Sequence, residues 1–322
     1  NFCLSLAEVF FIYKPMVMRG VFAGKPAFFQ LLLLLFLILL GGLLSSFLGL
    51  GMLSMLKGNA VNPMENPEML RIIQFISALG TFLLPALLMA FFCSNRMSSY
   101  LFITRLPGLK AILLTVGSMF LISPFISLTG VLNKMIQLPE ILAPIESWML
   151  QKEGEAEKLT TLMLSGDGIS TLIQNLFVVA VVAAITEEFL FRGALRRILE
   201  KSTANQHLII WLTAIIFSLF HLQFYGFIPR MLLGAYFGYM LLWGNNIWIP
   251  VIAHFTNNFL GVVSLTNPRL SENEYITGNV SPENLLPFAA MALGFLLLFF
   301  FCSTSLKKTL TEGDNQRFFL RS

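Results

Sequence analysis

Glu187 and Glu188 stand side by side in the run Ala183-Ala184-Ile185-Thr186-Glu187-Glu188-Phe189-Leu190-Phe191-Arg192, in which Arg192 is the only other charge. Two histidines, His221 and His254, and one asparagine, Asn258, interrupt later apolar runs. An ionisable group at membrane depth costs about 2.5 kcal/mol or more, so its presence points to a functional site. A carboxylate beside an imidazole can hold a water and take its proton. A histidine and an asparagine on one helix face can donate hydrogen bonds to the oxyanion of an attacked carbonyl. Together these residue types suit water-activated hydrolysis of an amide inside a membrane.

The elements that must position them are helices. Of 322 residues, 56% are hydrophobic and 12% charged, about half the charged fraction of a soluble domain. We therefore expect an all-α polytopic membrane protein with about eight transmembrane helices and its site inside the bundle. Segments long enough to span fall near 28–50, 70–92, 109–132, 172–195, 208–226, 228–244, 247–265 and 285–303. Residues 28–303 form the membrane domain, 1–27 a cytoplasmic or interfacial N-terminal segment, and 304–322 a cytoplasmic tail. The chain begins at Asn1 without a methionine, so the natural N-terminus is expected to lie upstream. Phe2 to Tyr13 is apolar but holds Glu8 and ends in Lys14-Pro15, which fits an interfacial segment better than a signal peptide.

Charge orients the spans. With a cytoplasmic N-terminus, that side collects Lys14, Arg19, Lys25, Arg96, Arg105, Lys110, Arg196, Arg197, Lys201, Lys307, Lys308, Arg317 and Arg321, against Glu8, Glu200, Glu312 and Asp314. The other side is acidic, with Glu140, Glu146, Glu153, Glu155 and Glu157 in the long connection 133–168. Lysine and arginine bias sets topology, so both termini are placed in the cytoplasm. Within 133–168, Ile141, Leu142, Ile145, Trp148 and Met149 recur at roughly helical spacing, as in a helix lying on the outer surface. Such a helix is either a lid over a site or a plain connection. The basic residues lack the clustered, aromatic-interleaved pattern of a nucleic-acid surface, so membrane lipids and no nucleic acid are the expected partners. Cys3, Cys93 and Cys302 have no metal-type spacing.

Helix geometry brings the candidates together. Glu187 and His221 each lie 17 residues from the turn near Ala204, so in an antiparallel pair they share one level. His254 lies about 12 Å along its span from Asn246, and Glu187 about 12 Å from Leu195. Glu188 and Arg192 are four apart and stack as an ion pair, whereas Glu187 points about 100° away and is freer. His254 and Asn258 share one face. Two other readings stay open at this point. The polar set could be a network that only packs helices together. Two histidines and a glutamate could also bind zinc with a water in the open position, although no His-Glu-x-x-His helix is present.

The motifs Glu187-Glu188-x-x-x-Arg192, Phe217-x-x-x-His221 and His254-x-x-x-Asn258, in this order on separate spans, resemble those of the CPBP family. That family comprises CAAX prenyl endopeptidases and bacteriocin-processing, or Abi, intramembrane proteases. The resemblance covers about 172–265. It implies that Glu187 is the general base on water, assisted by His221. His254 and Asn258 would form the oxyanion hole, with Glu188 and Arg192 supporting the site. It further implies a glutamate-dependent protease with no metal or other cofactor, cleaving a membrane-associated or lipidated (CAAX-like) substrate in a bacterial inner membrane. The alternative is a non-catalytic immunity or scaffold protein that keeps the motif as a polar packing network.

Overall fold

A computed structural model describes residues 19–57, 65–103 and 105–319; most of the expected N-terminal segment, including Cys3, lies outside the described residues. The protein is an all-α membrane protein. The principal helices are α1 (Ala27–Lys57), α2 (Pro67–Cys93), α3 (Leu109–Lys134), α4 (Ala143–Leu164) and α5 (Gly168–Leu199). They are followed by α6 (Gln206–Leu219), α7 (Phe227–Gly244), α8 (Trp248–Thr266) and α9 (Leu285–Phe319).

Six helices among the described residues are long and apolar enough to cross a membrane: α1, α2, α3, α5, α8 and α9. The expected segments 208–226 and 228–244 are also helical but differ from the other six. At 14 residues, α6 spans only about 21 Å, and it ends at Leu219 rather than continuing to residue 226. His221 therefore lies beyond the helix. The chain turns there through Leu222 at φ 52, a left-handed conformation of the kind that ends helices. α7 is 18 residues long and carries Arg230 in its first turn.

Lipid tails offer no hydrophobic drive for helix association, so close backbone approach matters. A Cβ at Gly41 of α1 would overlap the carbonyl oxygen of Gly80 on α2. On α7, Gly234 and Gly238 are four apart and both face α6: Cβ atoms there would sit 3.3 Å from Ala214 Cα and 2.9 Å from Ile210 Cγ2. This small-xxx-small stripe makes α6 and α7 a tight hairpin. α3 packs along α9, and α8 lies between α3 and α5. The outward faces of α1 and α9 expose Phe36, Leu39, Phe47, Leu297 and Phe301, as lipid-facing surfaces do.

Charge segregates to the ends of the bundle. At one end Lys201 donates to the carbonyls of Ala23 and Lys25, and Arg197 to those of Ser99 and Tyr100. Asn246 donates to Arg105 O, and Ile247 N to Phe102 O, at the same end. At the opposite end Arg71 donates to the carbonyls of Met163 and Ser165 and to Asn175 Oδ1, fixing the start of α2 to the end of α4 and the start of α5. The helix expected within 133–168 is α4. It lies over the α6–α7 corner, where Trp148 packs on Phe224 at 5.4 Å between ring centroids and Glu153 accepts the Tyr225 N–H at 3.3 Å.

Candidate active site

The carboxylates belong to α5, which is interrupted twice. Residues 176–182 and 189–195 form π-helical turns, and Ala183–Glu188 is the α-helical stretch between them. A π-helical turn bonds i to i+5 and disturbs the regular ladder, and such turns recur at functional sites. Here the first is stabilised from outside: Asn258 Nδ2 donates to Val179 O at 2.9 Å. The second begins directly after Glu188. Its Gly193 accommodates Leu101, whose Cδ2 would lie 2.8 Å from a Cβ at that position.

Glu188 and Arg192 meet as their spacing predicts. Arg192 Nη1 donates to Glu188 Oε1 at 2.9 Å, and the side chains are 1% and 0% exposed. Arg192 Nη2 donates to Gly234 O at 2.9 Å, and the guanidinium lies 4.5 Å from the Phe217 ring and 5.4 Å from the Phe237 ring. A Cβ at Gly234 would approach Arg192 Nη2 to 3.1 Å, so the small residue makes room for the cation. A buried pair of this kind is stable only when its remaining groups are satisfied. The Gly234 carbonyl and the aromatic faces supply part of that.

Glu188 also holds a histidine. His254 Nδ1 lies 2.9 Å from Glu188 Oε1, the oxygen that also accepts from Arg192. A carboxylate oxygen accepts, so His254 carries its proton on Nδ1 and turns Nε2 toward Glu187, whose Oε2 is 3.8 Å away. Phe237 stacks on the imidazole at 5.3 Å and Phe217 meets it edge-on at 5.8 Å, fixing the ring plane. Glu187 Oε2 is buried and has no hydrogen-bond partner among the described residues, while the Glu187 side chain as a whole is 12% exposed. A buried carboxylate oxygen without a partner is costly, and it is a natural seat for a water or a substrate N–H.

His221 and Asn258 reach the site differently from the carboxylates and His254. Both bond to backbone carbonyls: His221 Nδ1 lies 3.0 Å from Phe217 O, and Asn258 is held by Val179 O. The carbonyl can only accept, so His221 carries its proton on Nδ1 and its Nε2 is a free base. Its ring is 5.1 Å from that of Phe217, which thus touches His221, His254 and Arg192. Asn258 has two amide hydrogens. One goes to Val179, the other is available, and its Oδ1 accepts from Asn257 Nδ2 at 3.2 Å.

This arrangement lies in the stretch that comparison with known proteins picks out. Residues 169–260 match the profile of the Rce1-like family, described as type II CAAX prenyl endopeptidase Rce1-like. No curated protein and no solved structure matches the chain. The matched stretch runs from α5 into α8 and contains Glu187, Glu188, Arg192, His221, His254 and Asn258, whereas α1 to α4 and α9 lie outside it.

Three features of the site were not read from the sequence. The glycine stripe at Gly234 and Gly238 has a visible four-residue spacing, but nothing in the sequence connects Gly234 to Arg192. Phe237 as the stacking partner of His254 has no signal beyond being aromatic. Arg230 belongs to none of the three motifs, yet it lies within electrostatic reach of Glu187 and His221. Among the described residues no group of three or more His, Cys, Asp or Glu side chains has the geometry to hold a metal ion.

Proposed function

We propose that the protein is an intramembrane endopeptidase that cleaves a membrane-associated or lipidated peptide. Glu187 takes a proton from the attacking water, and the free Nε2 of His221 assists from the corner after α6. The second amide hydrogen of Asn258 donates to the oxyanion, His254 donates beside it from Nε2 when the ring carries a proton on both nitrogens, and Glu188 with Arg192 fixes the His254 ring. The observation that carries this reading is the unpartnered Glu187 Oε2, buried opposite His254 Nε2 in a segment that matches a protease family.

The basic end of the bundle faces the cytoplasm by the positive-inside rule, with both termini there, in a bacterial inner membrane. Glu188 lies 11 residues from Leu199, about 17 Å from that end, so the bond is cut within the bilayer's depth. The reaction runs without a metal: Glu188, the nearest further carboxylate, is already engaged by Arg192 and His254.

The test compares purified wild type and Glu187→Ala in detergent on a library of lipidated and membrane peptides, with folding monitored in parallel. Cleavage by wild type that is lost in a folded Glu187→Ala protein is expected. Equal cleavage by both sinks the glutamate mechanism. Activity that a chelator abolishes and zinc restores overturns the metal-free mechanism. A folded wild type that cuts nothing, with Glu187→Ala failing to fold, is the signature of the scaffold alternative.

A further inference from the structure

Arg230 is the only charged residue of α7. Nη2 donates to Gln223 Oε1 at 2.8 Å and Nη1 to Gln223 O at 3.4 Å, and both acceptors are neutral. Among the described residues no carboxylate makes an ion pair with it. Two lie within electrostatic reach: Glu187 of the site, and Glu153 of α4, whose Oε2 accepts the Tyr225 N–H. A partly buried cation without an anion is an expensive arrangement in a membrane. The fold nevertheless makes space for it. A Cβ at Gly226 would come within 2.7 Å of Arg230 Nη2.

Its position relative to the site is fixed by α7. Gly234, whose carbonyl receives Arg192, is four residues after Arg230. The two share a helix face, one turn or about 6 Å apart. Arg230 thus stands one turn beyond the Arg192 anchor, toward the α4-covered end, on the side from which Glu187 and His221 feel its charge.

We infer that Arg230, held by Gln223, is a carboxylate-binding subsite that takes the C-terminal carboxylate of the peptide substrate. The planar guanidinium fork matches a carboxylate bidentately, and Gln223 fixes the fork before the ligand arrives. Glu153 keeps the empty subsite partly compensated and yields when the stronger contact forms. Extended peptide advances about 3.3 Å per residue, so anchoring the chain end here sets how far from the C-terminus the bond opposite Glu187 lies. This inference rests on the peptidase reading for its substrate, but its test does not depend on turnover.

Two matched lipidated peptides, one ending in a free carboxylate and one in a carboxamide, are compared on the full-length protein in detergent. Their binding is read by fluorescence anisotropy on Glu187→Gln, and their cleavage on the wild type. A charge-assisted bidentate contact gives the carboxylate an advantage of about tenfold to hundredfold. Arg230→Gln should bring that ratio to about one in both assays, with Arg230→Lys in between. Binding that discriminates through Arg230 without any cleavage by wild type keeps the subsite and removes the peptidase reading. Equal binding of the two peptides to Glu187→Gln overturns the subsite, whatever the cleavage result. So does a ratio unchanged by Arg230→Gln in a folded protein.

Discussion

His254 Nδ1 and Glu188 Oε1 lie 2.9 Å apart, joining α8 to α5 through an oxygen that Arg192 also uses. One carboxylate oxygen therefore sets the tautomer of a histidine and neutralises an arginine. Glu188→Gln keeps the shape but leaves Arg192 buried without its anion. Breaking a buried pair in this way costs about 3–5 kcal/mol. A lower midpoint of thermal unfolding in detergent should accompany a loss of cleavage. An unfolding midpoint within a degree of wild type would show that the pair carries no stability.

Glu187→Gln should behave in the opposite way. Its Oε2 has no hydrogen-bond partner, so the amide costs little in the fold. Loss of a general base lowers turnover about 10²–10⁴-fold. The expected result is a protein with wild-type unfolding and a rate reduced by that factor, measured on one peptide. A folded Glu187→Gln retaining a third of the rate would remove Glu187 from the chemistry.

Asn258→Ala separates a donor from a strut. The substitution leaves Val179 O in the first π-helical turn of α5 without its partner, costing about 1–3 kcal/mol. If the second amide hydrogen also serves the oxyanion, kcat falls about 10²–10³-fold at temperatures where the variant is still folded. A kcat within threefold of wild type under those conditions would leave Asn258 as a strut alone.

Gly234→Ala tests the fit of α6 against α7. The added Cβ meets Arg192 Nη2 at 3.1 Å, Phe217 Cδ1 at 3.2 Å and Ala214 Cα at 3.3 Å, and the last of these is backbone. Overpacking of this kind costs about 1–3 kcal/mol, and it displaces Arg192 and Phe217 together, so activity should fall as well. Gly261→Ala on α8 is the control, since a Cβ there meets nothing within 4 Å. Equal unfolding midpoints for the two variants would contradict the packing argument.

The helical membrane class, the basic and acidic ends, and the Glu188–Arg192 pair are legible in the sequence. Those features depend on composition and on spacing along one helix. Even there it missed that α6 stops at Leu219, because the turn at Leu222 carries no glycine or proline to announce it. The hairpin count placed Glu187 and His221 at one level, but level is only one of the coordinates that make a contact. Each residue also turns the side chain about 100° around its axis, and the rotation of one helix against another is set by packing. Helix packing made His254 bond Glu188 while His221 and Asn258 bond to backbone carbonyls. It likewise put Arg230 within electrostatic reach of Glu187 and His221. The glycine stripe of α7 is the physical reason: it sets how closely, and at what rotation, α7 lies against α6, and so where Arg192, Phe217 and Arg230 come to rest.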